Sequence, residues 1–279
     1  MIGAVRLNVS DLDAQQAFYE NAIGLPALER SGEAARLGPP GGPALVELVA
    51  RPGAPPRPSR STGLFHLAIL VPDRLELARA LARLARADRP LTGASDHLVS
   101  EALYLRDPEG NGIEIYRDRP RAEWSYDGGG VRMATLPLDL DGVLAELEGE
   151  SAQADGLPAA TRMGHVHLQV SDLGAAEAFY HEAVGLDVTV RSYPGALFLS
   201  RAGYHHHVGV NTWASAGAPP PPPGALGLDR FELVLADAGE LDAARERLAA
   251  AGVAVEPGGD GGVLAPDPSG NRVLLSASA

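Results

Sequence analysis

Short stretches of this chain alternate between apolar and polar residues. Val5, Leu7 and Val9 take turns with Ala4, Arg6 and Asn8. Leu67, Ile69 and Val71 do so with His66, Ala68 and Leu70, and Val166, Leu168 and Val170 with His165, His167 and Gln169. A period of two is that of a strand with one buried face. Past Val9 the pattern changes. Ser10 has the side chain of a helix N-cap, and Asp11 and Asp13 suit the positive end of a helix dipole. The helix is predicted to run to about Ile23, where Gly24 stops it. Such a helix buries its apolar stripe against the apolar face of the strand before it, which leaves the opposite face to line a cleft.

The segment Leu7 to Tyr19, followed by Ile23-Gly24-Leu25, returns as Leu168 to Tyr180, followed by Val184-Gly185-Leu186. Gly63 through Asp73 resembles Gly227 through Asp237, and Asp107-Pro108-Glu109-Gly110-Asn111 resembles Asp267-Pro268-Ser269-Gly270-Asn271. The chain is therefore two copies of one half, each holding two modules of strand, helix and further strands. The expected fold class is α+β: four βαβββ modules forming two pseudo-symmetric halves with mixed curved sheets. The predicted division is 1–120 for the first half, 121–160 for a connector and 161–279 for the second half. A short helix is expected in the connector around Leu138 to Glu148. Pro219 to Pro223 reads as a rigid extended loop ahead of the last module.

Composition narrows the chemistry. A chain of 279 residues buries a substantial core, as one large domain or two of ordinary size. Its net charge of -13 repels nucleic acid and anionic lipid, so the expected partner is a small molecule, with neither nucleic acid nor membrane; assembly into a homo-oligomer stays open. There is no cysteine, which removes disulfides, thiolate metal sites and cysteine nucleophiles and is compatible with a reducing cytosol. Any metal must be held by His, Asp or Glu. The chain opens directly on the amphipathic stretch Ile2 to Val9, and no apolar run reaches membrane-spanning length, so a cytoplasmic location is expected.

His66 and His165 each take the first inward-facing position of an opening strand. A lone strand histidine is commonly a hydrogen-bonded packing residue, but that reading does not explain two at equivalent points. On a closing strand, Ile113 and Ile115 take the helix side while Glu114 points with Gly112 and Tyr116 into the same cleft. A carboxylate sequestered there without a partner is costly, whereas a wide, wet cleft would simply solvate it.

The histidine-opened strand, the Asp-Leu after it, Phe-Tyr and Gly-Leu along the helix, and Asp-Pro-x-Gly-Asn ahead of an Ile-Glu strand resemble the vicinal-oxygen-chelate superfamily, which includes glyoxalase I and extradiol dioxygenases. The resemblance spans essentially the whole chain. More narrowly, Gly164 to Leu168, the run Gly203 to Trp213 with its three histidines, the proline string and Ser100 to Pro108 look like bacterial catechol 2,3-dioxygenases of the CatE type.

The resemblance implies a metal held by a His on the opening strand of one module, a His on the opening strand of its partner, and a Glu on the partner's closing strand. Module one has Ala4 at the His position, module two has His66 and Glu114, module three has His165, and module four has Arg230 and Leu274. Pairing modules two and three completes one set, His66, His165 and Glu114, at the junction of the halves. It leaves a dead site of Ala4, Arg230 and Leu274. Two nitrogens and one carboxylate leave adjacent positions open for a bidentate catecholate beside dioxygen, which suits Fe(II), with Mn(II) as the alternative ion. The implied activity is extradiol cleavage of a small aromatic diol.

Three further residues follow from the same resemblance. His206 aligns with the acid–base histidine of extradiol enzymes, on the assumption that strand alternation puts Tyr204, His206 and Val208 on one face and His205 and His207 on the other; the choice among the three histidines stays open. Tyr104 precedes Glu114 at the spacing of the family's active-site tyrosine and is expected to hydrogen-bond the substrate oxygen. His97 is either a further substrate-side donor or a loop residue, and His167 shares the face of His165. The rival readings are a glyoxalase-like isomerase and a metal-free small-molecule-binding protein on the same modules. The isomerase needs a second glutamate, yet no Asp or Glu occurs between Arg191 and Leu228, where Asn211 or Thr212 is nearest. The binder has no need of the His, His and Glu set.

Overall fold

The computed structural model describes residues 1–127, 130–150 and 156–278. The fold is α+β, with four successive βαβββ modules. Module one comprises β1 (Ile2–Val9), α1 (Leu12–Phe18), β2 (Ala27–Ser31), β3 (Ala34–Leu37) and β4 (Val46–Ala50). Module two comprises β5 (Gly63–Leu70), α2 (Arg74–Arg86), β6 (Gly93–Asp96), β7 (Ser100–Arg106) and β8 (Gly112–Asp118). The connecting stretch holds the two-residue strands β9 (Tyr126–Asp127), β10 (Gly130–Val131) and β11 (Leu136–Pro137). Its helix α3 (Leu140–Ala145) is shorter than the predicted span. Module three comprises β12 (Arg162–Gln169), α4 (Leu173–Glu177), β13 (Asp187–Val190), β14 (Ala196–Ser200) and β15 (Val208–Asn211). Module four comprises β16 (Gly227–Leu235), α5 (Ala238–Ala250), β17 (Glu256–Pro257), β18 (Val263–Pro266) and β19 (Arg272–Ala277).

The four module helices, α1, α2, α4 and α5, each open on an aspartate. Asp11, Asp73, Asp172 and Asp237 each accept a hydrogen bond from the backbone N–H three residues on, at Ala14, Glu76, Ala175 and Glu240. The first cap is thus Asp11 and not Ser10. Ser10 instead donates both its backbone N–H and its hydroxyl to Glu109 Oε1, each at 2.8 Å, tying the helix entry to the Asp107–Asn111 turn. α1 relaxes into a π-helical turn over Tyr19–Ile23 and stops at Gly24, whose φ of 87° is left-handed as a helix-ending glycine requires.

Modules two, three and four share their internal wiring. The opening strand pairs in parallel with the closing strand, β5 with β8, β12 with β15 and β16 with β19. The other pairings are antiparallel. A parallel pair demands a long crossover, and the helix supplies it while covering the apolar side of the strands. On that side Leu67, Ile69, Val166, Leu168, Phe231 and Leu233 are all fully buried, each such burial contributing about 1.5–3 kcal/mol.

Residues 1–8, 53–65 and 165–279 form one compact unit, and residues 9–52 and 66–164 another. The first contains the strand runs β17-β18-β19-β16-β1 and β12-β15-β14-β13. The second contains β4-β3-β2 and β11-β6-β7-β8-β5. No helix among the described residues is long and apolar enough to cross a membrane.

Candidate metal centre

The wiring of module two decides where Glu114 points. On β8 it lies opposite Ala68 of β5 on one side and opposite Tyr104 of β7 on the other. His66 is two residues before Ala68, on the same face and one diagonal step away. The small side chain of Ala68 leaves the carboxylate room to reach it, and His66 Nε2 stands 3.0 Å from Glu114 Oε2. Beneath them Ala68, Ala102 and Tyr116 pack with Leu70 and Tyr104 into an apolar floor. Glu114 is 2% exposed and His66 6%. A wet cleft that merely solvates the glutamate is therefore ruled out, and the pair satisfies the rule that a buried carboxylate has a partner.

Tyr104 continues this arrangement. Its hydroxyl is 2.7 Å from His97 Nε2, and His97 Nδ1 is 2.7 Å from the carbonyl oxygen of Ala134. A carbonyl can only accept, so Nδ1 carries a proton; in a neutral His97, Nε2 then accepts the proton of Tyr104. His97 is presented by a tight turn in which Leu98 adopts a φ of 69°, Asp96 Oδ1 accepts from Leu98 N–H, and His97 N–H donates to Ser100 O. The rings of Tyr104 and His66 lie 5.6 Å apart. His97 thus lies behind the tyrosine, as its hydrogen-bond partner.

In module three, β12 carries His165, 2% exposed, on the face opposite Val166 and Leu168. The ring of His206 lies 4.0 Å from that of His165, and the ring of His205 6.2 Å. Strand alternation does not govern these histidines, because β15 begins only at Val208. Left-handed backbone at Ala202 (φ 53°) and Gly203 (φ 65°) turns the chain just before them. As a result His205 Nδ1 and His206 Nδ1 meet at 2.7 Å, a contact that consecutive strand residues on opposite faces would not make. His207 points elsewhere. Its Nδ1 accepts from Arg201 N–H at 3.3 Å and lies 2.9 Å from Ser200 Oγ. Burial first, then the nearby N-terminal ammonium, pushes its pKa down to about 3, so it is a neutral anchor. Of the three, His206 lies against His165.

His66, Glu114 and His165, all buried, offer ligand atoms that lie within 4.8 Å of one another. Two imidazoles and a carboxylate at that spacing fit a divalent ion. The positions of the expected dead site, Ala4, Arg230 and Leu274, lie on β1, β16 and β19 and offer no donor of that kind. Sequence reasoning missed two features: the contact of His205 with His206, which gave no signal, and the aromatic rings gathered round His167, for which the glycine between Val208 and Val210 was a clue.

Residues 1–115 and 162–275 match the family described as the Glyoxalase/Bleomycin resistance protein/Dioxygenase superfamily. A catechol-2,3-dioxygenase from Bacillus subtilis (strain 168) is 46% identical over 259 residues, which is 91% of this chain and 90% of that protein. Among solved structures, a putative dioxygenase from Bacillus subtilis subsp. subtilis str. 168 superimposes with a TM-score of 0.65 at 13% identity, over 99% of this chain and 84% of that one. Glyoxalase I from Zea mays does so with a TM-score of 0.59 at 17% identity, over 98% of this chain and 91% of that one. At such identities these two likenesses show the fold alone. The family match takes in both halves of the duplicated chain, and the protein belongs to the glyoxalase/bleomycin resistance protein/dioxygenase superfamily.

Proposed function

We propose that the protein is an Fe(II)-dependent extradiol dioxygenase that opens a catechol-type ring with dioxygen, the iron being held by His66, His165 and Glu114. The observation that carries this is the buried group of two imidazoles and one carboxylate with ligand atoms inside 4.8 Å, in a chain 46% identical to a catechol-2,3-dioxygenase. Bound there, the ion would supply Lewis acidity and redox chemistry to a bidentate diolate and dioxygen. Mn(II) suits the same donors, so supply and reactivity choose between the two.

The chain's own groups do the rest. With its proton directed at His97 Nε2, Tyr104 presents oxygen lone pairs that accept a hydrogen bond from a diol hydroxyl and so orient the ring. His206, packed on His165, takes the proton of the incoming diol and returns it to the ring-opened product, while His205 holds its Nδ1. Burial of the three proposed ligands keeps bulk water from the reacting groups. An isomerase of the glyoxalase kind lacks support, because Asn211, nearest the place of its further carboxylate, has its Oδ1 taken by Trp213 N–H. In the same reading, residues 1–120 and 161–279 are duplicated halves joined by the connector 121–160, and the enzyme works in the cytoplasm.

The test is anaerobic reconstitution with Fe(II) followed by catechol and oxygen. A yellow ring-opened product with one dioxygen consumed per catechol is expected; an iron-loaded protein that takes up no oxygen with any catechol would overturn the reading.

A further inference from the structure

The two halves repeat an arginine that seals the end of a helix, and they differ in what lies over it. In the first half Arg83 of α2 donates from Nη1 to Ile23 O at 3.0 Å, closing the π-helical turn Tyr19–Ile23. In the second half Arg247 of α5 donates from Nη2 to Val184 O at 2.8 Å and from Nε to Ala183 O at 3.1 Å, closing the π-helical turn Ala178–Ala183. Each guanidinium lies over the glycine that follows. A Cβ on Gly24 would come within 2.9 Å of the Arg83 guanidinium, and one on Gly185 within 2.6 Å of Arg247 Nη2. Glu76 and Glu240 stand at matching places one helical face earlier, seven residues before each arginine.

In the first half the connector covers this junction. Arg83 Nη2 donates to Gly156 O at 3.0 Å, and Leu157 N–H donates to Gly24 O at 2.9 Å. Gly156 has a φ of 132°, and a Cβ there would stand 3.2 Å from Gly24 O, so this close approach calls for glycine. Leu157 is 2% exposed and Arg83 7%. In the second half the same junction is a pocket of about 320 Å³, lined by His181, Glu182, Gly185, Glu240, Ala243 and Arg247 together with Arg201. That volume lies within the roughly 300–1,000 Å³ of ligand pockets. Arg247, unlike Arg83, is exposed.

We propose that this pocket binds an extended peptide segment in which a glycine precedes leucine or a similar aliphatic residue. The segment is held as the connector is held, its glycine carbonyl accepting from Arg247 and the next N–H donating to Gly185 O. Main-chain hydrogen bonds of this kind give affinity, and the recess for the side chain gives specificity. The chain's own Gly156-Leu157 is committed to Arg83 and Gly24, so the segment comes from another polypeptide. None of the lining residues belongs to the proposed metal centre, and the peptide site does not depend on the dioxygenase reading.

The probe is acetyl-Gly-Leu-Pro-Ala-Ala-amide, the sequence of residues 156–160, with photo-leucine at its second position. It is irradiated with the intact 279-residue chain, and the labelled sites are read by mass spectrometry. Saturable labelling by one peptide per chain, confined to 181–186 and 240–247, is expected. The unmodified peptide should compete, and the same peptide with serine in place of leucine should compete at least about tenfold less well. Ala243→Trp, which fills the pocket from a partly exposed position on α5, should abolish the labelling with the melting temperature unchanged. The serine comparison needs no variant and decides the matter if that one does not fold. Scattered labelling, equal competition by the serine peptide, or labelling that survives in folded Ala243→Trp would overturn the proposal. So would a chain that sediments as a dimer and becomes monomeric on Ala243→Trp, which would give the pocket to a second copy.

Discussion

Replacing His66 by alanine in the metal-free protein removes one partner of a buried pair whose polar atoms are 3.0 Å apart, with side chains 8% and 3% exposed. Removing one partner of such a pair typically costs about 3–5 kcal/mol, most of it from the charge left behind. For a chain of this size each kcal/mol moves the melting temperature by about 2–4 °C, so His66→Ala should melt roughly 6–20 °C below the wild type. The carboxylate is the source of that penalty. The double variant His66→Ala/Glu114→Gln should therefore be more stable than His66→Ala alone, with a coupling of about 1–3 kcal/mol between the sites. Urea denaturation of the wild type, both single variants and the double variant, all stripped with chelator, measures the cycle. His66→Ala within 1 kcal/mol of the wild type, or a double variant that is simply additive, would refute the reasoning. Mn(II) at a hundredfold excess over its Kd should then stabilise the wild type by about 2.7 kcal/mol and the variants far less.

Burial raises the pKa of Asp107 to about 6, against hydrogen bonds from Asn111 and Glu109 that lower it. The folded state thus favours the protonated carboxyl. The stabilisation is full below the unfolded value near 3.8 and is lost as pH rises through about 6, up to about 3 kcal/mol for a gap of about two units. Denaturant titrations at pH 5 and pH 8 should show about half of that loss, roughly 1.4 kcal/mol, in the wild type and much less of it in Asp107→Asn. His206→Phe should retain the wild-type metal content, read by elemental analysis, while kcat falls roughly 10²–10⁴-fold; unchanged kinetics would cancel its role. Gly164→Ala would bring a Cβ within 1.8 Å of the Tyr116 hydroxyl, so it should destabilise the protein by about 1–3 kcal/mol. Tyr116→Phe in the same chain should restore part of the loss, as thermal melts would show.

The duplicated motifs and the alternation along β5, β8 and β12 were enough to place His66, Glu114 and His165 on inward faces, because a strand's period of two is a local property that needs no tertiary information. Tyr104 was picked out by the family resemblance and not by alternation; in the structure β7 pairs with β8 so that Tyr104 falls opposite Glu114. Alternation failed at 204–207, where left-handed backbone at Ala202 and Gly203 turns the chain before β15 begins. Ser10 and Asp11 are both good caps, and which one acts depends on Glu109, a residue far along the chain that engages Ser10. His97 could be placed only through Ala134 and Tyr104, which meet it by tertiary contact. The ring cluster of Phe65, Phe198 and Trp213 round His167 is the furthest from local pattern: its members come from separate elements, and sheet register with the glycine between Val208 and Val210 brings them together.

The most direct measurement is an iron-edge anomalous difference map from crystals of the protein grown anaerobically with Fe(II). A single strong peak bonded to the imidazoles of His66 and His165 and to the carboxylate of Glu114 is the expected result. Iron seated elsewhere, or ligated without His165, would contradict the proposed centre.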